Sequence, residues 1–384
     1  MLYCALPVAL AARRQGRRDG SRSMVSCGLV GMPNVGKSTL FCALTKATAE
    51  VSSYPFCTID VNKAVVPVPD ERLARVGEIF GQDVQTPAQM EFIDIAGLVR
   101  GAHQGHGLGN QFLAYVRQCD AILHVVRCFD QPEVAHVHGV VDAVRDVEVV
   151  NLELILADLG TVERRRQKRH KGMTPEEIGL EERLLAKLAQ AFDQGQPARA
   201  VRYDPEERGV LEGLFLLTLK PTLIVANVGE DDILADGPEL ARLKAWAQQH
   251  GERLLPISAR LEHDVGELDA DEARDFEEEM GLPELGLGKV VEAAYGLLDL
   301  VTFFTAVGKE AKAWPVPRGT TGVEAAAKVH TDMARGFNKA DVIGLAELSA
   351  IGSWTRARET GAVRSEGREY VVKDGDVIHF KFGS

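Results

Sequence analysis

One eight-residue stretch constrains the fold of this chain more than any other. Residues 31–38 read GMPNVGKS and fill every fixed position of the phosphate-loop pattern GxxxxGK(S/T). An apolar run precedes the stretch at 27–30, and apolar residues at helical spacing follow it at 39–44. Strand, loop and helix in this order point successive backbone N–H groups and the positive end of the helix at an anion. The sequence therefore predicts a site for a bound nucleotide.

The fixed residues of the loop each have a chemical role. Gly31 and Gly36 let the backbone wrap closely round phosphate. Lys37 would reach the outer phosphates, and the Ser38 hydroxyl would ligate Mg²⁺.

Length and composition limit what surrounds this site. With 384 residues the chain exceeds what one hydrophobic core usually supports, so we expect two or three domains. The net charge of −12 argues against unselective adhesion to nucleic acid or to an anionic membrane, so any RNA contact must come from local basic patches. The six cysteines lack metal-ligand spacing, which fits a reducing cytoplasm, and no stretch is apolar enough to span a membrane.

Residues 1–23 differ from the rest of the chain. An apolar segment up to residue 12 is followed by five arginines between residues 13 and 22. A signal or transit segment would have this composition. Because Met24 stands three residues before the first predicted core strand, where such a domain would naturally begin, we instead expect a disordered extension.

Two further segments match the switch regions of nucleotide-dependent proteins. Thr58 is the candidate to meet the γ-phosphate and Mg²⁺, with an ordinary loop threonine as the alternative. Asp94 ends a predicted strand and opens a DxxG segment, so it can hold the Mg²⁺ water shell while the N–H of Gly97 meets the γ-phosphate. Leu98 replaces the glutamine that orients water in small GTPases. Another residue must position the water, or hydrolysis waits for a partner.

The residue that activates water is left open. Residues 101–110 contain four glycines and predict a mobile switch. His103 and His106 lie in it, and His136 follows a predicted strand. We take His136 as the candidate base, although a surface or core role for a lone histidine is the alternative.

Residues 147–208 have the leucine spacing of two helices, and the run 164–171 between them holds six lysines and arginines. We predict a helical hairpin inserted into the nucleotide domain, with a basic tip. The tip either contacts RNA or the ribosome, or is simply a solvated face.

The segment that would face the base departs from the guanine-specific NKxD pattern. Asn227 is kept, but Val228 replaces the lysine and Glu230 replaces the aspartate. Losing a well-placed bidentate contact costs on the order of 1–3 kcal/mol, so strong guanine selectivity is not expected. Ser258 and Ala259 would close over the base. Phe129 and Val228 would sandwich it or belong to the core.

From about residue 300 the pattern changes again. Thr321 and Glu324 have capping-box spacing, and residues 377–382 alternate as a half-buried strand. A separate small α+β domain fits residues 300–384.

Taken together, the runs 28–38, 94–110 and 374–382 resemble the YchF family of Obg-like ATPases over about residues 24–382. The resemblance implies an α/β P-loop nucleotide domain at 24–146 and 209–299, the coiled-coil hairpin at 147–208, and a C-terminal TGS domain of β-grasp type. It implies that the residues from Asn34 to Thr39, Val35 included, bind the phosphates, and that the Val228 backbone contacts adenine.

The resemblance also implies an activity and partners. The family hydrolyses ATP in preference to GTP and associates with ribosomes, so the chain is expected to be a cytoplasmic monomer that uses Mg²⁺ and contacts the ribosome and its RNA, but no membrane. Asn34 suggests K⁺ dependence. Two alternatives stay open: an Obg-type GTPase, and a nucleotide-sensing binding module in which turnover is incidental.

Overall fold

The computed structural model describes residues 24–51, 63–95, 97, 108–168, 172–233, 235–281 and 286–383. The strands are β1 (Val25–Val30), β2 (Lys63–Pro67), β3 (Val84–Thr86), β4 (Gln89–Asp94), β5 (Ala121–Arg127), β6 (Thr222–Asn227), β7 (Arg253–Ile257), β8 (Leu300–Val307), β9 (Glu310–Pro317), β10 (Phe337–Gly344), β11 (Arg364–Glu366) and β12 (Asp376–Phe382).

The helices before the C-terminal region are α1 (Lys37–Val51), α2 (Glu71–Phe80), α3 (Leu108–Gln118), α4 (Ala143–Arg166), α5 (Pro175–Asp193), α6 (Pro205–Glu212), α7 (Pro238–His250), α8 (Ala259–Val265), α9 (Ala270–Met280) and α10 (Gly286–Gly296). In the C-terminal region they are α11 (Gly322–Val329), α12 (Thr331–Arg335), α13 (Leu345–Ile351) and α14 (Trp354–Glu359).

The first compact unit comprises residues 25–66 and 91–297. Its six-stranded sheet has the order β2-β4-β1-β5-β6-β7, and β1, β5, β6 and β7 pair in parallel. Every residue of β1, β5 and β6 is buried, as expected for central strands covered by helices on both faces. The predicted α/β nucleotide fold is therefore confirmed, and the loops that follow β1, β5 and β6 extend from the same edge of the sheet.

The helical insertion lies between β5 and β6. Helix α4 begins after its cap Asp142, and α5 begins with a capping box formed by Thr174 and Glu177. The two helices pack against each other, with Ile155 of α4 and Leu184 and Leu188 of α5 in one buried cluster. The predicted hairpin is thus present, although α4 starts four residues before the expected boundary.

The second unit comprises residues 67–90 and the described residues from 298 to 383. Its mixed sheet has the order β11-β10-β12-β8-β9-β3, and its core includes Phe303, Phe337 and Phe380. The capping box of Thr321 and Glu324 opens α11 as predicted. A C-terminal α+β domain is confirmed, whereas its TGS class stays a prediction.

The position of residues 67–90 differs from the predicted domain boundaries. The sequence analysis assigns them to the nucleotide domain, yet α2 and β3 belong to the C-terminal unit. Strand β3 pairs in parallel with β9, and Arg72 of α2 forms an ion pair with Asp374 at 2.7 Å. The cause is non-local pairing, which the local pattern of a three-residue strand does not reveal.

Some predictions fall on residues outside the described ranges: the N-terminal extension 1–23, Thr58, Leu98, and residues 101–107 of the glycine-rich switch, with His103 and His106. The last three residues of that predicted switch, 108–110, instead form the first turn of α3. Among the helices that are described, none is long and apolar enough to cross a membrane.

Candidate nucleotide-binding site

The phosphate loop occupies residues 31–36, between β1 and α1. Two of its glycines leave no room for a side chain, because an added Cβ at Gly31 would lie 2.3 Å from the Val125 carbonyl oxygen and one at Gly36 would lie 2.1 Å from Nδ2 of Asn227. Gly36 has a φ of 93° and Asn34 a φ of 60°, values that glycine and asparagine adopt most readily. The backbone is wrapped as closely as a phosphate cradle requires.

Lys37, the first residue of α1, is directed into this loop. Its Nζ donates hydrogen bonds to the carbonyl oxygens of Gly31 at 3.2 Å and Met32 at 2.7 Å. Burial lowers the pKa of Lys37 to about 8, although the nearby Asp94 carboxylate opposes the shift. A bound phosphate would favour the charged ammonium much more strongly than two carbonyls do.

Ser38 and Asp94 bring two oxygen donors together beside the loop. Ser38 Oγ donates a hydrogen bond to Asp94 Oδ2 at 3.1 Å, joining the start of α1 to the end of β4. Burial raises the pKa of Asp94, while the bond from Ser38 and the charge of Lys37 act in the opposite direction. Gly97 packs so closely on the loop that an added Cβ would lie 3.1 Å from the Pro33 nitrogen. Hard oxygen donors in this arrangement suit Mg²⁺.

Asn227 connects three elements of the site. Its Nδ2 donates to the Val35 carbonyl oxygen at 2.9 Å, and its Oδ1 accepts from the Ala259 N–H at 3.0 Å. Ser258 caps α8 by accepting from the Leu261 N–H. This amide therefore fixes the end of β6, the phosphate loop and the Ser-Ala turn after β7 in one arrangement.

Phe129 lies in the loop that follows β5. The Arg127 guanidinium carbon sits 4.5 Å from the centroid of the Phe129 ring. Gly229, which follows β6, is also close, because an added Cβ there would lie 4.0 Å from Phe129 Cβ. Arg127 is buried and donates to the carbonyl oxygens of Phe129, Gln131 and Val134 at 2.9–3.2 Å. It thereby shapes the loop after β5 and supports one face of the Phe129 ring.

Val228 does not offer a side chain to the base. It is 3% exposed and packs in the core with Leu240 and Leu243 of α7, and its N–H donates to the Ile257 carbonyl oxygen at 2.9 Å. Of the two alternatives for Val228, the sandwich and the core, the structure favours the core. Glu230, by contrast, is 48% exposed and lies 3.4 Å from Arg260.

His136 is held in a buried acid–histidine pair. Its Nε2 lies 2.7 Å from Asp146 Oδ2, with side-chain exposures of 4% and 2%. Its Nδ1 accepts a hydrogen bond from the His138 N–H at 3.1 Å, so the proton resides on Nε2 and is donated to Asp146. Asn34 Nδ2 donates to the Ala135 carbonyl oxygen at 3.0 Å, which places this segment beside the phosphate loop.

The structure thus brings the phosphate-loop residues, including Thr39 in the first turn of α1, together with Asp94, Gly97, Asn227 and Ala259. It adds three residues that the sequence analysis did not single out: Arg127, Asp146 and Arg260. The signal for Arg127 was its place at the end of a strand in which His124 is the one other polar residue. The other two are brought to the site only by the tertiary fold.

Two protein-family models match this chain, one in the nucleotide domain and one in the C-terminal domain. Residues 26–157 match the model described as 50S ribosome-binding GTPase, and residues 300–383 match the YchF-GTPase C-terminal model, described as a protein of unknown function.

Two full-length relatives are named ribosome-binding ATPase YchF. The Bacillus subtilis protein is 44% identical, covering 93% of this chain and 99% of its own. The Escherichia coli O157:H7 protein is 46% identical, covering 93% and 98%.

Solved structures agree with these matches. The Schizosaccharomyces pombe YchF GTPase is 34% identical, with a TM-score of 0.83 over 93% of this chain and 97% of that one. A GTP-binding protein from Pyrococcus horikoshii, 20% identical with a TM-score of 0.61, shares the fold. On sequence, domain content and structure, this chain belongs to the YchF family.

Proposed function

We propose that this protein is a ribosome-associated ATPase switch that prefers ATP to GTP. The phosphate loop and its Lys37 provide the site for the triphosphate. The preference for adenine over guanine is argued from the burial of Val228 in the core. Guanine-specific proteins have at this position a lysine whose stem lies along the base. The names of the relatives from Bacillus subtilis and Escherichia coli support the same activity.

Glu230, which replaces the guanine-binding aspartate, is also poorly placed to contact guanine. Glu230 has a carboxylate, but it is exposed and 3.4 Å from the Arg260 guanidinium, which competes for its oxygens. A glutamate is one methylene longer than the aspartate of the guanine pattern, so its oxygens would not meet the guanine edge in the same place. We expect a loss of about ten- to a hundredfold in preference for guanine.

Side-by-side dissociation constants for ATP and GTP, measured by calorimetry with Mg²⁺, test this proposal. ATP should bind at least about tenfold more tightly, given the missing guanine contacts. The matched variant is Glu230→Asp, which should strengthen GTP binding and leave ATP binding unchanged. If GTP binds more tightly to the unmodified protein, the chain is an Obg-type GTPase with the same architecture.

Mg²⁺ fits the oxygen donors that the structure brings together. We propose Ser38 as a direct ligand, Asp94 as the partner of its water shell, and Thr58 as a second direct ligand. When bound, Mg²⁺ would neutralise charge on the β- and γ-phosphate oxygens. Asn34 is the residue on which a K⁺ requirement would depend. That requirement is refuted if replacing K⁺ with Na⁺ leaves turnover unchanged.

For hydrolysis we propose His136 as the residue that accepts a proton from water. Asp146 holds the Nε2–H tautomer, so the lone pair of Nδ1 is the basic site. This lone pair is engaged by the His138 N–H, so residues 136–138 must shift before it can face water. The proposal fails if His136→Ala hydrolyses ATP at the unmodified rate.

The partner that we propose is the ribosome, contacted through RNA, with the protein acting as a cytoplasmic monomer. A nucleotide-sensing module with incidental turnover is the competing function, because Leu98 cannot orient water. Steady-state ATP hydrolysis with and without purified ribosomes separates the two. A large acceleration supports the switch, and an unchanged slow rate with nucleotide-dependent ribosome binding supports the sensor.

A further inference from the structure

The loop between α6 and β6 displays an aromatic ring to solvent. Phe215 is 74% exposed, more than any other large hydrophobic side chain in the described part of the chain. Its φ is 51°, in the left-handed region that a bulky residue rarely adopts. Folding alone does not account for this residue, because it buries little surface and occupies a disfavoured backbone conformation.

A basic cavity lies next to this loop, at the C-terminal end of α4. Leu214, the preceding residue, lines a cavity of about 220 Å³ together with Arg164, Arg165 and Lys168 of the α4 end. Thr161 and Gly213 complete its lining. A neighbouring cavity of about 230 Å³ shares Arg165 and Leu214.

The three cations of this cavity are not equivalent. Arg165 Nε is bound to the buried Glu181, so part of its charge is already compensated. Arg164 is oriented by its own helix, with Nε donating to the Gly160 carbonyl oxygen at 2.9 Å. Arg164 and Lys168 therefore contribute most of the uncompensated positive charge.

We propose that Phe215 and this cavity form a contact site for unpaired RNA. One base stacks on the exposed face of Phe215, and a neighbouring phosphate binds at Arg164 and Lys168. A positively charged groove with an aromatic platform is the usual combination for single-stranded nucleic acid. Paired RNA would not fit, because its bases are not free to stack on a side chain.

Charge supports this choice of ligand. The whole chain carries a net charge of −12, whereas three of the six residues that line this cavity are cationic. The site deepens the proposed ribosome association and rests on it, since ribosomal RNA offers unpaired nucleotides in loops and bulges.

The test uses the full-length protein and a fluorescein-labelled single-stranded RNA of about ten nucleotides, with binding followed by anisotropy. Phe215→Ala should weaken binding about 5- to 150-fold, which is the loss of one stacked base. Phe215→Tyr keeps a ring and should bind like the unmodified protein. Val140→Ala, at another exposed apolar position, is the matched control and should change nothing.

Salt dependence separates the two parts of the site. Replacing Arg164 and Lys168 by glutamine should reduce the slope of log K against log salt by about 0.7 per lost phosphate contact. Phe215→Ala should lower affinity and leave that slope unchanged, because stacking releases no counterions.

Two results would overturn the site: Phe215→Ala binds RNA normally, or Phe215→Tyr loses as much affinity as Phe215→Ala. If Phe215→Ala binds RNA normally and yet weakens ribosome co-sedimentation, the partner is a ribosomal protein. ATP hydrolysis and ribosome co-sedimentation by the unmodified protein are recorded separately. If either is missing, the proposed function fails, whatever the RNA measurement shows.

Discussion

Removing the side chain of Asn227 is the most informative single perturbation of the nucleotide site. The amide is 4% exposed and makes two hydrogen bonds, to the Val35 carbonyl oxygen at 2.9 Å and from the Ala259 N–H at 3.0 Å. Asn227→Ala leaves both backbone groups buried and unpaired. Each costs about 1–3 kcal/mol, so the free energy of unfolding of the nucleotide domain should fall by ~2–6 kcal/mol.

The same substitution should weaken nucleotide binding without altering base preference. Asn227 acts on the carbonyl of Val35, inside the phosphate loop, so its loss loosens the cradle for any triphosphate. We expect the dissociation constants of ATP and GTP to rise by the same factor. If Asn227 mainly read the base edge, their ratio would change instead.

Urea unfolding followed by a nucleotide-domain signal, with calorimetry for both nucleotides, provides the measurements. Asn338→Ala is the control, since Asn338 is an exposed asparagine in the C-terminal unit. The argument is wrong if Asn227→Ala lowers the free energy of unfolding by less than about 1 kcal/mol. A selective loss of either ATP or GTP binding would equally contradict it.

Three other outcomes follow from the same geometry. Gly36→Ala should reduce ATP affinity about a hundredfold or more in calorimetry, because its Cβ would lie 2.1 Å from Asn227 Nδ2 at a φ of +93°. Phosphate binding requires the ammonium form of Lys37, whose pKa is about 8. ATP affinity should therefore be constant below pH 8 and fall above it, by up to about tenfold per pH unit. Calorimetry in buffers of different ionisation enthalpy should detect the proton that Lys37 takes up when ATP binds. Asp146→Asn should misorient His136 and lower turnover, by up to the about 10²–10⁴-fold that general-base catalysis contributes, while the ATP dissociation constant stays unchanged. Turnover equal to that of the unmodified protein would refute a catalytic role for the His136–Asp146 pair.

Much of the nucleotide domain was predictable because its signals are local. Residues 31–38 fix a strand, a tight loop and a helix within one short stretch, and Asp94 marks the end of a further strand. The apolar runs that became β5 and β6 are buried along their whole length. Their order in the chain then limits a parallel sheet to few topologies.

The features that escaped prediction depend on distant partners. Val228 reads equally well as a base contact or a core residue, and only the packing of α7 against it decides between them. Asp146 is an ordinary acid in the first turn of a helix until the chain brings His136 within 2.7 Å. The three residues of β3 have no pattern of their own and become a strand through pairing with β9.

That pairing has a consequence for synthesis of the protein. Thr86 of β3 and Glu310 of β9 are hydrogen-bonded although 224 positions separate them in the chain. At about 5–20 residues per second, residues 67–90 would leave the ribosome roughly 10–45 s before their partner strand. A nascent chain must carry α2 and β3 without their sheet throughout that interval. Truncation before residue 300 would make the delay permanent, so a chain lacking the C-terminal domain should be prone to aggregation rather than a clean nucleotide-binding module.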